Sequence, residues 1–220
     1  MPEPPELVIF DCDGVLVDSE WTAVRIESRL LTELGWPLTP ADVADRFVGR
    51  SDDHMLGEIE AHLGRAVPDW KQTYEAALNE EFCSSLTAVP GVADALEALE
   101  SLAVATCVAS SGTHDKMRLT LGLTGLYERF DGRIFSASQV ANGKPAPDLF
   151  LYAAEQMGAD PARCVVVEDS PPGLAAARAA GMGCVAYAGG LIPVERLEGP
   201  GTIVIDDMSL LSAAIAQVRT

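Results

Sequence analysis

Short, mostly apolar runs punctuate the chain at 7–10 (Leu-Val-Ile-Phe), 103–109, 133–135, 164–167, 183–187 and 203–205. Each is too short for a helix and is bounded by turn residues, so each predicts a strand buried on both faces. Between them, apolar residues recur at helical spacing: Val92, Leu96 and Leu99 share one face, as do Phe150, Ala154 and Met157. The stretch 170–181 carries signals at both ends, with Ser170 as N-cap, Pro171 in the first turn and Gly181 as the stop. Strands alternating with helices predict parallel βαβ units. The expected core is therefore α/β, a Rossmann-like doubly wound parallel sheet with helices on both faces.

Residues 17–88 break that rhythm. Met55, Ile59 and Leu63 are four apart, Trp70, Tyr74, Ala77, Leu78 and Phe82 form a second stripe, and Ala23, Glu27, Leu30, Leu31 and Leu34 fit a third helix. Nothing there reads as a strand. An all-helical domain, 17–88, is thus expected as an insertion after the first strand, with 1–16 and 89–220 forming the α/β core. The stripes read as helix–helix packing rather than as a cofactor surface.

Composition narrows the class. The chain has 220 residues with 48% hydrophobic and 22% charged, which is globular rather than disordered or coiled-coil. Thirty-three acidic residues against fifteen basic ones give a net charge of −18. Such a field repels nucleic acid and anionic membrane surfaces, so neither is expected as a partner. No basic leader with an apolar run and no long apolar stretch are evident, and the five scattered cysteines form no CxxC pair or Cys/His cluster. A reduced, cytoplasmic protein is expected, monomeric or a small homo-oligomer.

In an open parallel sheet, ligands bind at the carboxyl ends of the strands. Four polar clusters fall there. Asp11 and Asp13 follow the first strand, and Ser110 and Ser111 follow the second run. Lys144, one of three lysines, lies in Asn-Gly-Lys-Pro-Ala-Pro-Asp, and Glu168 and Asp169 close Cys-Val-Val-Val. Asp11 and Asp13, two apart in extended chain, point to one side and can divide the work of nucleophile and general acid/base. Either could instead belong to a solvated turn. Cys12 between them faces the other way. Glu168 and Asp169 are either helix-start charges or ligands of a hard cation. Four carboxylates against Lys144 leave three negative charges, hostile to a phosphate. A single Mg²⁺, with Asp13 protonated, brings the site to about zero.

Taken in order, these motifs resemble those of the haloacid dehalogenase superfamily of phosphotransferases. Its first motif stands here as Asp11-Cys12-Asp13-Gly14-Val15-Leu16-Val17-Asp18-Ser19, its second as Val108-Ala109-Ser110. Its third is Gly143-Lys144-Pro145-Ala146-Pro147-Asp148 and its fourth Val167-Glu168-Asp169-Ser170. The helical insertion looks like the cap domain of the beta-phosphoglucomutase-like branch. The resemblance implies that Asp11 attacks phosphorus and that Asp13 serves as acid and then base. It implies that Ser110 and Lys144 hold phosphoryl oxygens. It also implies that Mg²⁺ is held by the Asp11 carboxylate, the Asp13 carbonyl and Asp169, with Glu168 a direct or water-mediated ligand.

Within that family, Asp13 argues against dehalogenation. Thr22-Ala23 stand where the mutase carries a cap histidine, and Asp52 stands where it carries a phosphate-gripping arginine, which disfavours a mutase. The expected protein is therefore a phosphatase of a small phosphorylated metabolite, plausibly a sugar phosphate. A phosphomutase and a non-catalytic metabolite-binding domain are the alternatives. Specificity is expected from the cap loop Phe47-Val48-Gly49-Arg50-Ser51, from Glu20 and Trp21, and from Ser111 and Lys116, with Glu20, Gly49, Arg50, Ser111 and Lys116 as the substrate contacts.

Overall fold

A computed structural model describes residues 4–48 and 52–218. In chain order it contains β1 (Leu7–Phe10), then α1 (Glu20–Glu33), α2 (Pro40–Phe47), α3 (Asp52–Leu63) and α4 (Trp70–Ser85). There follow α5 (Val92–Ser101), β2 (Ala105–Ser110), α6 (His114–Leu123), β3 (Ile134–Ser136), α7 (Asp148–Met157) and β4 (Cys164–Glu168). The chain closes with α8 (Pro171–Ala179), β5 (Gly183–Tyr187), α9 (Val194–Leu197), β6 (Thr202–Ile205) and α10 (Leu211–Ile215). Among the described residues no helix is long and apolar enough to cross a membrane.

The six strands form one parallel sheet in the order β3-β2-β1-β4-β5-β6. This is a doubly wound α/β sheet. The earliest strand is central, and successive strands are added first to one side and then to the other. The winding therefore reverses between β1 and β4, where the crevice for a ligand lies. β1 pairs Leu7 with Ala105 on one side and with Cys164 on the other, and all four of its residues are fully buried. A strand enclosed on both faces and both edges has to be continuously apolar, which is why it carries no alternating pattern. On one face Val8, Phe10, Val165, Val167 and Val185 pack with Val92, Leu96 and Leu99 of α5, Met117 and Leu121 of α6 and Leu211 of α10. α7 and α8 cover the other face, burying Leu149, Phe150, Ala153, Leu174 and Ala177.

The chain divides into two compact units, 1–18 with 87–220, and 19–86. Each junction lies two residues further into the insertion than the apolar pattern suggests. The cause is local pairing: Val17 bridges Asp13 in parallel and Ala88 antiparallel, and Asp18 N–H donates to Thr87 O at 2.9 Å. These bonds tie both crossing segments to the sheet unit.

Among its described residues the unit 19–86 has helices as its only regular elements, four of them where the apolar stripes outline three. α2 has too short a stripe to stand out, yet its start was signalled. Thr39 accepts a hydrogen bond from Asp42 N–H at 3.2 Å, the Asp42 carboxylate accepts from Thr39 N–H at 2.9 Å, and Pro40 takes the first position. That reciprocal arrangement satisfies two otherwise orphaned donors. Phe47, expected in a specificity loop, is instead the last residue of α2 and buried, edge-on to Trp36 at 6.1 Å between centroids. Trp36 also stacks on His62 at 4.2 Å. Gly49, Arg50 and Ser51 lie outside the described residues.

Candidate active site

β1 and β4 are adjacent and in register, with Phe10 opposite Val167. The residues that follow them, Asp11 on one strand and Glu168-Asp169 on the other, therefore emerge side by side. Asp11 N–H continues the ladder to Val167 O at 3.0 Å, which holds the first carboxylate on the sheet. One oxygen each from Asp11, Glu168 and Asp169 lie within 4.8 Å of one another, and all three residues are buried. Three buried carboxylates at that spacing suit a hard divalent cation, whose preferred ligands are oxygen. By the chemistry of its donors the cluster fits the metal that the sequence implies.

Lys144 reaches this cluster from the loop before α7. Its Nζ donates to Asp11 Oδ1 at 2.7 Å, to Glu168 Oε1 at 2.7 Å and to Ala109 O at 3.2 Å, and lies 4.9 Å from the centroid of the Phe150 ring. The side chain is only 5% exposed. Burial by itself lowers a lysine's pKa. Here the charges of Asp11 and Glu168, and the hydrogen bonds to them, outweigh burial and raise it, so the ammonium stays charged. Burial raises the Asp11 carboxyl, with the charges of Glu168 and Asp13 adding to it and Lys144 opposing.

Glu168 is held at both oxygens. Oε1 receives Lys144, and Oε2 receives Ser170 N–H at 2.7 Å and Ser170 Oγ–H at 2.8 Å. Ser170 Oγ in turn caps α8, accepting from Gly173 N–H at 3.2 Å. A Cβ on Gly173 would collide with the Glu168 carboxyl group. The glycine therefore leaves the room that the carboxylate occupies. The sequence carried one signal of this, a glycine in the first turn of a helix, where it costs about 1 kcal/mol relative to alanine unless it answers a packing need.

Asp13 lies on the turn after β1, and its Oδ2 accepts from Lys116 Nζ at 2.8 Å. Lys116, expected from the sequence as a substrate contact, here spends its ammonium on the second aspartate. Its charge balance with Asp13 outweighs the lowering caused by burial, and its pKa is raised. The charge count changes with it. Two lysines, not one, face four carboxylates, which leaves two negative charges rather than three before any cation or proton is added.

Ser110 ends β2 and is 2% exposed, and its Oγ accepts from Gly112 N–H at 3.1 Å. Ser136 at the end of β3 donates to Gly112 O at 2.7 Å, bracing the same turn. Ser111, one residue beyond β2, is exposed. Cys12 is fully buried, with its Sγ 3.9 Å from Thr120 Oγ1 of α6. Glu20 opens α1 in the helical unit.

The structure thus brings Asp11, Lys144, Glu168 and Asp169 into one cluster and sets the Asp13–Lys116 pair at the same strand end. The sequence reading missed Phe150, Ala109 O, Ser170 and Gly173 as parts of it. Of these, Ser170 and Gly173 carried local signals, as an N-cap and a first-turn glycine, whereas Phe150 and Ala109 O act through contacts between distant segments.

The model of the haloacid dehalogenase-like hydrolase family matches residues 5–181. The chain is 32% identical to the phosphorylated carbohydrates phosphatase of Thermotoga maritima, over 97% of this chain and 94% of that one. It is 32% identical over 179 residues to 6-phosphogluconate phosphatase of Escherichia coli, covering 80% of each. Among solved structures, a hydrolase of the same family from Deinococcus radiodurans, determined with bound phosphate and sodium, superposes with a TM-score of 0.82. It is 32% identical, with 98% and 96% of the two chains covered.

Proposed function

The chain belongs to the haloacid dehalogenase-like hydrolases and is a phosphomonoester hydrolase. From that premise we propose that it is a Mg²⁺-dependent phosphatase of a small phosphorylated metabolite, of the sugar-phosphate class, working through an aspartyl-phosphate on Asp11. The observation that carries this reading is the buried Asp11–Lys144–Glu168 arrangement beside Asp169.

Each residue has a task that its environment suits. Asp11 supplies the attacking carboxylate oxygen. Its backbone is bonded to β4 and its Oδ1 to Lys144, which together fix the direction from which the nucleophile meets the phosphoryl group. Asp13 protonates the departing alkoxide and then takes a proton from the water that hydrolyses the aspartyl-phosphate. Lys144, fixed by Glu168 and Ala109 O, compensates charge on Asp11 and on the transferring oxygens. The Ser110 hydroxyl is oriented by Gly112 N–H, which leaves its own proton free to donate to a phosphoryl oxygen. Asp11, Glu168 and Asp169 would hold Mg²⁺, together with the Asp13 carbonyl. Once bound there, the ion supplies positive charge to an anionic substrate and to the charge that develops during transfer. The helical unit is the part whose residues, Glu20 and Arg50 among them, would select the organic part of the substrate. The sugar-phosphate class is favoured by the relatives that act on phosphorylated carbohydrates and 6-phosphogluconate.

The test is phosphate release from a panel of phosphomonoesters that includes 6-phosphogluconate, with Mg²⁺ and with EDTA. Turnover should need Mg²⁺ and should fall at least about 10³-fold in Asp11→Asn, as loss of a nucleophile does. Activity in EDTA equal to that in Mg²⁺, or a fully active Asp11→Asn enzyme, would overturn the mechanism.

A further inference from the structure

α6 grips the turn after β1 along one of its faces. Lys116 and Thr120 are four residues apart and so lie one above the other. The first donates to Asp13 at 2.8 Å, and the second lies 3.9 Å from Cys12 Sγ. The turn Asp11-Cys12-Asp13 is thereby engaged on both of its sides: Cys12 faces inward to α6, and the Asp13 carboxylate meets the lysine.

The lysine's own start is fixed as well. Thr113 caps α6 by accepting from Lys116 N–H at 3.2 Å, and Lys116 O accepts from Thr120 Oγ1–H at 3.1 Å. Gly112, just before the cap, lies beside both Lys116 and Asp13. A Cβ there would come within 3.6 Å of Lys116 Cδ and 3.8 Å of Asp13 Oδ2. The same Gly112 is tied to Ser110 by its N–H and to Ser136 by its carbonyl. The strand end that offers Ser110 and the helix that offers Lys116 are therefore a single braced element.

We propose that Lys116 is a positioning residue, which holds the Asp13 carboxylate at the distance and angle needed for proton transfer rather than gripping the substrate. The proposal rests on the reading of Asp13 as general acid and base. A free aspartate on a turn samples several rotamers. A charge-assisted bond to a helix that is itself capped selects one of them. Lys144 performs the corresponding service for Asp11, so each aspartate of the motif has its own lysine, one from the loop before α7 and one from α6. The lysines differ in exposure, at 5% for Lys144 and 39% for Lys116. The partly open position leaves Asp13 accessible to water and to a leaving group while one of its oxygens is held.

Steady-state kinetics on 6-phosphogluconate, with p-nitrophenyl phosphate as second probe, separate this role from substrate binding. Lys116→Gln and Lys116→Met should lose on the order of 10²-fold in kcat, as misplacement of a catalytic group does, with KM within about twofold of wild type. Introduced into Asp13→Asn, either substitution should cost nothing further. A raised KM with unchanged kcat would make Lys116 a substrate contact and overturn the proposal. So would an equal loss in the wild-type and Asp13→Asn backgrounds, which would give Lys116 a role independent of Asp13. A fully active Asp13→Asn enzyme is a different result: it removes the acid/base reading itself, and this proposal with it.

Discussion

The two units treat charge in opposite ways. In the sheet unit, Lys144, Asp11 and Glu168 are sealed behind the strand ends with side chains 5%, 11% and 0% exposed. In the helical unit, pairs such as Arg29–Glu33 and Lys71–Glu75 stay in solvent, with more than half of each side chain exposed. Surface pairs of this kind contribute about 0–1 kcal/mol, and helices carry them for solubility as much as for strength. A buried pair has to repay the loss of water from both charges, and an apolar replacement of the same volume is often as stable. Three charged groups packed together at 2.7 Å therefore make poor sense as a stabilising device. They make good sense as a device that keeps charges in fixed places where a phosphoryl group will be transferred. The contrast teaches where function was built in: the sheet unit gives up stability for geometry, and the helical unit does not.

The comparison is tested hardest by breaking the buried network. Glu168→Ala leaves Lys144 with a single carboxylate and frees Ser170. It should destabilise the protein by about 3–5 kcal/mol, the usual cost of orphaning one member of a buried pair, and should abolish most turnover. Gly173→Ala reaches the same carboxylate from the other side. Alanine is the better helix former by about 1 kcal/mol, yet its Cβ contends with Glu168, so kcat should fall while the helix itself is not weakened. Thermal melting and phosphate release on both variants measure this. A Gly173→Ala protein with wild-type activity would show that the position of Glu168 is not critical.

A smaller effect is expected from the apolar core of the helical unit. Ile59 of α3 is fully buried, and Ile59→Ala should cost about 2–5 kcal/mol, with a separate low-temperature melting transition as its signature. Such a split would sharpen the contrast, because it would mark the helical unit as failing by loss of packing alone. The smallest effect is at the α2 cap. Thr39→Ala removes the hydroxyl that accepts from Asp42 N–H and should cost about 1 kcal/mol, seen as a modest fall in the denaturant midpoint with no change in slope.

Much of the sheet unit was legible. β1 and β5 have the lengths that the sequence predicts, and the clusters around Asp11, Ser110 and Glu168 follow strands directly, because a short apolar run bounded by turn residues marks a fully buried parallel strand. Boundaries shifted by a residue or two at β2, β3, β4 and β6. The helical unit was read less well. α2 spans eight residues, too few for a periodic stripe, and its capping box is the one local sign of it. Phe47 reads as a loop residue in the sequence because no periodic stripe marks the helix that ends there. In the site, the lysine at 144 was seen as charge compensation, but the one at 116 was assigned to substrate. From the sequence it is simply a cation in the first turn of a helix.

Periodicity and residue type alone determined the α/β alternation, the helical insertion and the inventory of carboxylates, lysines and serines at the turns. Those signals are local, since a strand or a helix repeats within a few residues. Only the tertiary structure decided which of those groups face one another. Lys116 meets Asp13 across 103 positions, and Lys144 meets Asp11 across 133. Whether a lysine is solvated or locked against a carboxylate depends on how strand order and helix placement remove water from around it. That loss of water is fixed by the packing of the whole sheet and leaves no trace in the residues on either side of the charge.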